Sequence, residues 1–459
     1  MTEYRSLDPT TGAVFERFEL ARDGQVDGAI AAAAGAFPEW RRRPVGERVA
    51  VLERAAAELE RGAAELATLM ALEMGKPVAQ GRREVAKCAL VCRHYAESAD
   101  AYLRPEPASP AAAGGDPETL VRFDPLGPIF AIMPWNFPLW QVFRFAAPAL
   151  AAGNVVLLKH APNTPGTAEA VAGLFKEAGA PDGVFQNLFL SNDQAARVIG
   201  HPAVRGVTLT GSTRAGREVA SLAGRALKPT VTELGGSDPF IIFGDADIPA
   251  AVEQGAASRC LNSGQSCIAA KRFLVEASVY DDVVARLVAA VGSRRVGDPQ
   301  LEETEIGPLA RADLRDQLAA QVGAAVAAGA RALCGGHAPD GAGFFYPPTV
   351  LVDLDPRSDV AGEEFFGPVA TVYRFRDEAE AIEIANGTEY GLGASLWTRD
   401  ADRIERLVAE LDAGSVFVNA MVQSDPGLPF GGTKASGFGR ELARDGLREF
   451  VNVKTVWRA

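Results

Sequence analysis

The feature that most restricts the fold of this chain is an alternation that begins at residue 128. Short apolar, β-branched runs are each followed by a loop and a helix-forming stretch. Residues 128–133 read as one strand and 154–159 as a second, with a helix over 164–178 behind it. Residues 206–210 are a third candidate strand, and a helix starts at Thr213. The pattern resumes at 237–242, 272–276 and 415–419. Parallel strands covered on both faces read as apolar runs, and they need long crossovers that are usually helical. The expectation is an α/β protein with one parallel-sheet unit following another. With 459 residues the chain is long enough for two or three domains.

Upstream, residues 1–20 read as a hairpin turning at residues 8–12. Residues 47–74 read as one helix, because Leu52, Ala56, Leu59, Ala63, Leu66 and Met70 recur at three- and four-residue steps before Gly75 and Pro77 stop the run. Residues 105–117, rich in Pro, Ala and Gly, read as a loop between units. Residues 449–456 look like an extended strand whose apolar edge is a candidate for subunit contact.

Charge and cysteine usage narrow the function. A net charge of -13 argues against nucleic acid and anionic membranes as partners. No stretch approaches the roughly 20 apolar residues of a membrane span. The N-terminus lacks the basic start and apolar core of a signal peptide. Five cysteines at irregular spacing are no disulfide framework, so a reducing cytoplasm is the expected compartment. Cys88, Cys92 and His94 could hold half of a metal site, but no second ligand pair follows and His160, His201 and His337 are scattered. No metal is expected.

Cys267 is the residue with the most chemistry in prospect. It follows the small polar run Asn262-Ser263-Gly264-Gln265-Ser266 and precedes an apolar stretch. That setting suits a nucleophile presented to a cleft, although a lone cysteine is more often a small buried hydrophobe. Only the thiolate attacks, so it needs a base or a field. Glu233, before Leu234-Gly235-Gly236, offers a carboxylate base at an exposed, mobile position; the bland alternative is a solvated loop glutamate. Asn136, in Pro134-Trp135-Asn136-Phe137-Pro138, could donate to a developing oxyanion or simply cap a turn. Lys159 ends a strand at the edge where α/β sheets bind ligands, or it snorkels to the surface. The loop of Gly211 and Ser212 opens a helix and suits phosphate, though it is not the dinucleotide glycine fingerprint.

Taken in order, Pro134–Pro138, Lys159, Thr210-Gly211-Ser212, Glu233–Gly236, Gly264–Cys267, Glu363-Glu364-Phe365-Phe366-Gly367-Pro368, Pro429–Gly432 and Ser436–Glu441 resemble the NAD(P)-dependent aldehyde dehydrogenases from end to end. Within that family the chain is most similar to the bacterial succinate-semialdehyde dehydrogenases. The resemblance implies a Rossmann-like cofactor domain over 1–105 and 127–233, a catalytic domain over 234–435, and a small β oligomerisation arm from 106–126 and 445–459. It implies Cys267 as nucleophile, Asn136 as oxyanion donor and Glu233 as hydrolytic base, with Lys159 and Glu441 in the proton-relay region. For the cofactor it implies Trp135, Lys159, His160, Pro162, Gly211, Ser212, Leu234, Gly235, Glu364 and Phe366. Many NAD-preferring relatives carry a glutamate where Pro162 stands, so NADP is expected to be accepted, with NAD possible alongside it.

For a carboxylated aldehyde the resemblance implies Arg144 as the cation, with Trp140, Gln141 and Ser424 around the substrate. Leu261 and Ala269 stand where some relatives carry a second arginine and a second cysteine, so no cysteine redox switch is expected. A homodimer or homotetramer follows from the same resemblance. The competing readings are a dehydrogenase for neutral aldehydes and a non-catalytic binding protein on this scaffold.

Overall fold

The computed structural model describes residues 3–109 and 118–458. Two parallel sheets organise it, and each follows from the apolar runs noted above. The first has six strands in the order Gly437–Phe438, Thr230–Glu233, Gly206–Thr210, Pro128–Met133, Val155–His160, Phe185–Asn187; all neighbours are parallel except the first pair. Its central strands are buried along almost their whole length, as strands covered by helices on both faces must be. The second has seven strands in the order Arg331–Cys334, Thr349–Val352, Val369–Phe375, Arg272–Glu276, Pro239–Ile242, Gly393–Trp397, Ser415–Val418, with only the first pair antiparallel. One apolar core surrounds the first sheet, and two more cover the faces of the second.

Most of the expected elements form within a residue or two of their expected ends. The exception is 47–74, where two helices form, Val45–Arg61 and Ala63–Met74. Gly62 both caps the first and opens the second, and glycine is a poor helix-interior residue. Apolar periodicity alone does not see such a break. At the N-terminus, strands Glu3–Leu7 and Val14–Glu19 pair around a turn in which the Asp8 carboxylate accepts from the Thr10 N–H.

The stretch expected to be a loop at 105–117 contains a short strand, Glu106–Pro107. It pairs with Glu118–Pro125, which in turn pairs with the tail strand Val451–Arg458. The rest of that loop, 110–117, lies outside the described residues, as does part of the expected arm. The tail strand is an edge of this three-stranded sheet and exposes Val453 and Trp457.

Candidate active site

Cys267 lies just past a loop built from three successive left-handed residues: Asn262 and Ser263, each with φ 55°, and Gly264 with φ 76°. Few residues adopt that conformation without strain, and such strain persists only where the surroundings over-determine it. Here they do. Ser263 Oγ donates to the Gly307 carbonyl and accepts its N–H. Asn262 Nδ2 donates to the Asn136 carbonyl at 2.6 Å, and Gln265 Oε1 accepts from Ala310 N–H at 2.9 Å. A Cβ at Gly264 would stand 2.3 Å from the Gly367 carbonyl carbon. Gly264→Ala is therefore expected to lower stability by about 2–4 kcal/mol, through strain and overpacking. A lowered thermal unfolding midpoint, with lowered turnover, checks this.

The Cys267 thiol is half-buried and lines a cleft of about 1380 Å³ between the two sheet units. Burial pushes the thiol up to about 12, and Lys271 and Arg144 act in the opposite direction. Lys271 Nζ donates to the Ser266 and Cys267 carbonyls at 2.8 and 2.6 Å and pairs with Glu364 at 3.3 Å. Nothing in the sequence marks Lys271, because the contact depends on how the chain turns after Cys267. The Asn136 side chain donates to the Gln265 carbonyl at 3.1 Å, and its amide lies in the same cleft wall as the thiol.

Of the expected cofactor residues, Trp135, Gly211, Ser212, Leu234, Gly235, Glu364 and Phe366 line the cleft. Ser212 caps the helix Thr213–Arg225, whose first turn faces the cleft. The rings of Trp135 and Phe366 meet edge-to-face at 5.8 Å. Glu364 accepts the Gly236 N–H at 3.1 Å, and a Cβ on Gly235 would stand 2.6 Å from its carboxylate. A helix N-terminus, an aromatic pair and a carboxylate along one trough fit a dinucleotide's pyrophosphate, ring and ribose.

Three expected cofactor residues are not in that wall. His160 is fully buried; its Nε2 faces the Pro138 carbonyl and its Nδ1 faces the Ala161 N–H and Thr164 hydroxyl. Burial pushes it down to about 4, so it is neutral. Pro162 turns its carbonyl to the Arg5 N–H. Lys159 is buried, with its ammonium 5.6 Å from the Tyr4 ring centroid, so it does not snorkel. Residues near a strand end alternate between faces, and sequence position does not say which face opens on the cleft.

Glu233 also departs from expectation. It ends a central strand beside Thr210, is buried, and neither carboxylate oxygen has a hydrogen-bond partner among the described residues. Arg144, expected as a free cation for substrate, is instead buried over the Phe430 ring and ion-paired with Glu441, with Glu233 Oε2 4.0 Å away. Two buried carboxylates thus face one guanidinium. Burial pushes both upward; Arg144 opposes this, and Glu441 adds to the shift at Glu233. Of the expected substrate residues only Gln141 lines the cleft; Trp140 and Ser424 lie beside Lys87.

A cleft beside a parallel sheet, with a cysteine, a helix N-terminus and a carboxylate in its wall, fits a dinucleotide-dependent α/β oxidoreductase. The chain belongs to the aldehyde dehydrogenase family, whose model matches residues 1–456. It is 49% identical over 454 residues to succinate-semialdehyde dehydrogenase [NADP(+)] 1 of Mycobacterium tuberculosis, covering 99% of each chain. It is 47% identical to the probable succinate-semialdehyde dehydrogenase [NADP(+)] of Synechocystis, again over 99% of each. The solved succinic semialdehyde dehydrogenase of Streptococcus pyogenes, in complex with NADP+, superposes with a TM-score of 0.95 at 36% identity and 99% coverage of both. The protein is an aldehyde dehydrogenase.

Proposed function

We propose that this enzyme oxidises succinate semialdehyde, or a similar short carboxylated aldehyde, to the acid, using NADP+ and also NAD+. The observation that carries the reading is the Cys267 thiol opening on a dinucleotide-shaped cleft, in a chain whose full-length relatives bear that name. In this mechanism the Cys267 thiolate attacks the aldehyde carbon, forming a C–S bond and an oxyanion that the Asn136 amide and the Cys267 N–H stabilise. A dinucleotide held by Ser212, Glu364, Trp135 and Phe366 would supply the hydride acceptor; collapse of the oxyanion with loss of hydride from the former aldehyde carbon leaves a thioester on Cys267. Glu233 then takes a proton from water, whose oxygen attacks the thioester carbon. The C–S bond breaks, releasing the acid and the thiolate. Burial favours the protonated form of Glu233, Arg144 opposes this and Glu441 adds to it.

NADP+ use is supported by the full-length relatives, which are named succinate-semialdehyde dehydrogenase [NADP(+)]. Residues 1–105 and 127–233 serve the cofactor and 234–435 the catalytic thiol. The apolar edge of the tail strand favours a homodimer or homotetramer through the 106–126 and 445–459 arm. A cytoplasmic site suits a protein with free cysteines. No helix among the described residues is long and apolar enough to cross a membrane, and no metal-ligating cluster occurs there.

A second reading, a dehydrogenase for neutral aldehydes, is favoured by the commitment of Arg144 to Glu441 and by Leu261. Steady-state kinetics on aldehydes of varied length and charge, with each dinucleotide, separate the two. The first reading expects kcat/KM for succinate semialdehyde about tenfold or more above that for butanal, as one charge-assisted hydrogen bond would supply. Equal values favour the second. No aldehyde-dependent reduction of either dinucleotide would leave only a binding protein.

A further inference from the structure

Lys271 is buried beside the nucleophile, and the steps above give it no role. Its backbone is fixed by the seven-stranded sheet, whose central strand Arg272–Glu276 begins at the next residue. The Lys271 N–H donates to the Asp238 carbonyl at 3.2 Å, and its carbonyl accepts the Thr371 N–H at 3.0 Å. The side chain reaches back to the loop before it, where Nζ meets three oxygens. These are the Ser266 carbonyl at 2.8 Å, the Cys267 carbonyl at 2.6 Å and Glu364 Oε1 at 3.3 Å. An ammonium has three N–H donors and no acceptor, so three oxygens around one nitrogen specify the charged form.

Those contacts join segments that are distant in sequence. Glu364 Oε1 also accepts the Gly236 N–H at 3.1 Å. A Cβ on Gly236 would stand 2.6 Å from the Cys267 carbonyl oxygen, so the chain after Glu233 runs directly against the nucleophile's backbone. The turn of Cys267, the loop after Glu233 and the Glu364 segment thus meet at one ammonium. Cys267 and Glu364 both line the cleft, so this junction links the thiol to the carboxylate in the dinucleotide trough.

We propose that Lys271 is a positioning residue of the reaction: its ammonium ties the nucleophile's turn to Glu364 and fixes a positive charge against the Cys267 backbone. The proposal rests on the reading of Cys267 as the nucleophile. The charges around the thiol give that cation a direction in which to act. Burial favours the thiol, Lys271 and then Arg144 favour the thiolate, and Glu364 and Glu233 oppose them. Around Lys271, burial and Arg259 favour the neutral amine, while Glu364 and Asp238 favour the ammonium. Loss of Lys271 leaves Arg144 facing two carboxylates. Replacing Glu364 by glutamine removes one of those carboxylates and keeps an oxygen acceptor for the ammonium.

Alkylation by iodoacetamide at about pH 8 without dinucleotide, read by mass spectrometry of the Cys267 peptide, tests this in the parent enzyme, Lys271→Met, Lys271→Arg and Glu364→Gln. At fixed pH the rate follows the thiolate fraction. Lys271→Met is expected to slow alkylation about 10-fold, as loss of one close opposite charge would. Lys271→Arg restores part of the rate, and Glu364→Gln raises it above the parent's. Disturbed packing would not give the two charge removals opposite signs. With saturating NADP+ and succinate semialdehyde, Lys271→Met slows the burst of NADPH by a similar factor. Alkylation of Lys271→Met at the parent rate overturns the proposal. If Lys271→Met does not fold, Glu364→Gln decides: alkylation no faster than the parent's overturns it. A parent that shows these alkylation responses but forms no NADPH from any aldehyde overturns the oxidation reading and leaves the hold of Lys271 on the thiol standing.

Discussion

Cys267→Ala is expected to reduce aldehyde oxidation by about 10⁴-fold or more, since without the thiol neither the covalent intermediate nor its thioester can form. Dinucleotide binding should survive, because the other cleft residues are untouched; titration of bound NADPH fluorescence checks this. The size of the loss follows from the chemistry, and the state of the resting thiol follows from the structure. Burial drives Cys267 up to about 12, so in the free enzyme at neutral pH it is a thiol. Lys271 and Arg144 oppose burial without overcoming it, and Glu364 and Glu233 add to it, which leaves the nucleophile dependent on a further positive charge. Alkylation of Cys267 by iodoacetamide is accordingly expected to be slow without dinucleotide and faster with NADP+, whose nicotinamide is cationic. Equal turnover by Cys267→Ala would remove the thiol from the mechanism altogether.

Glu233→Gln is expected to stop the reaction one step later. Hydride transfer proceeds, the thioester persists, and a rapid-mixing experiment shows a burst of about one NADPH per active site, followed by a steady state roughly 10²- to 10⁴-fold slower. A burst identical to that of the parent with an unchanged steady state would assign hydrolysis to another group. The pH dependence carries a sign that the geometry sets. Glu233 is held well above the ordinary carboxylate range by burial, eased by Arg144 and reinforced by Glu441. A base works only when deprotonated, so hydrolysis should rise with pH along a limb above that range. Glu441→Gln removes a repulsive charge and moves the limb to lower pH. Arg144→Met removes the favourable charge and moves it higher. Stability responds in the opposite sense: the buried protonated carboxyl is favoured below its unfolded value of about 4.3, and that contribution is lost as pH rises through the raised folded value.

Glu233 and Arg144 also show where reading along the chain stops. The run Thr232 to Gly236 marks a carboxylate at a strand end, and the strand is there. Whether that strand lies in mid-sheet, and hence whether the carboxylate is solvated or buried, depends on Gly437–Phe438 returning from 200 residues away to pair beside it. Likewise Arg144 has the spacing from Asn136 of a substrate-binding arginine, but its partner is set by Glu441, which an antiparallel bridge with Phe430 holds against the guanidinium. His160 reads as a polar residue at a ligand-binding edge, yet its ring turns inward to the Pro138 carbonyl. Lys271 gave no signal at all, since a lysine after a loop is ordinary until its neighbours are known.

Within this protein, then, local chemistry along the chain was enough to settle the α/β class, the sheet-forming runs and the small polar run before Cys267, while the ordered motifs carried the family resemblance. The fold class and its elements are matters of side-chain periodicity and short-range backbone preference, which neighbours in sequence decide. Packing of distant segments decided which charges are desolvated and which cation faces which carboxylate. Those pairings arise only where the sheets and the returning strand converge, and burial there magnifies each charge's effect on its neighbours.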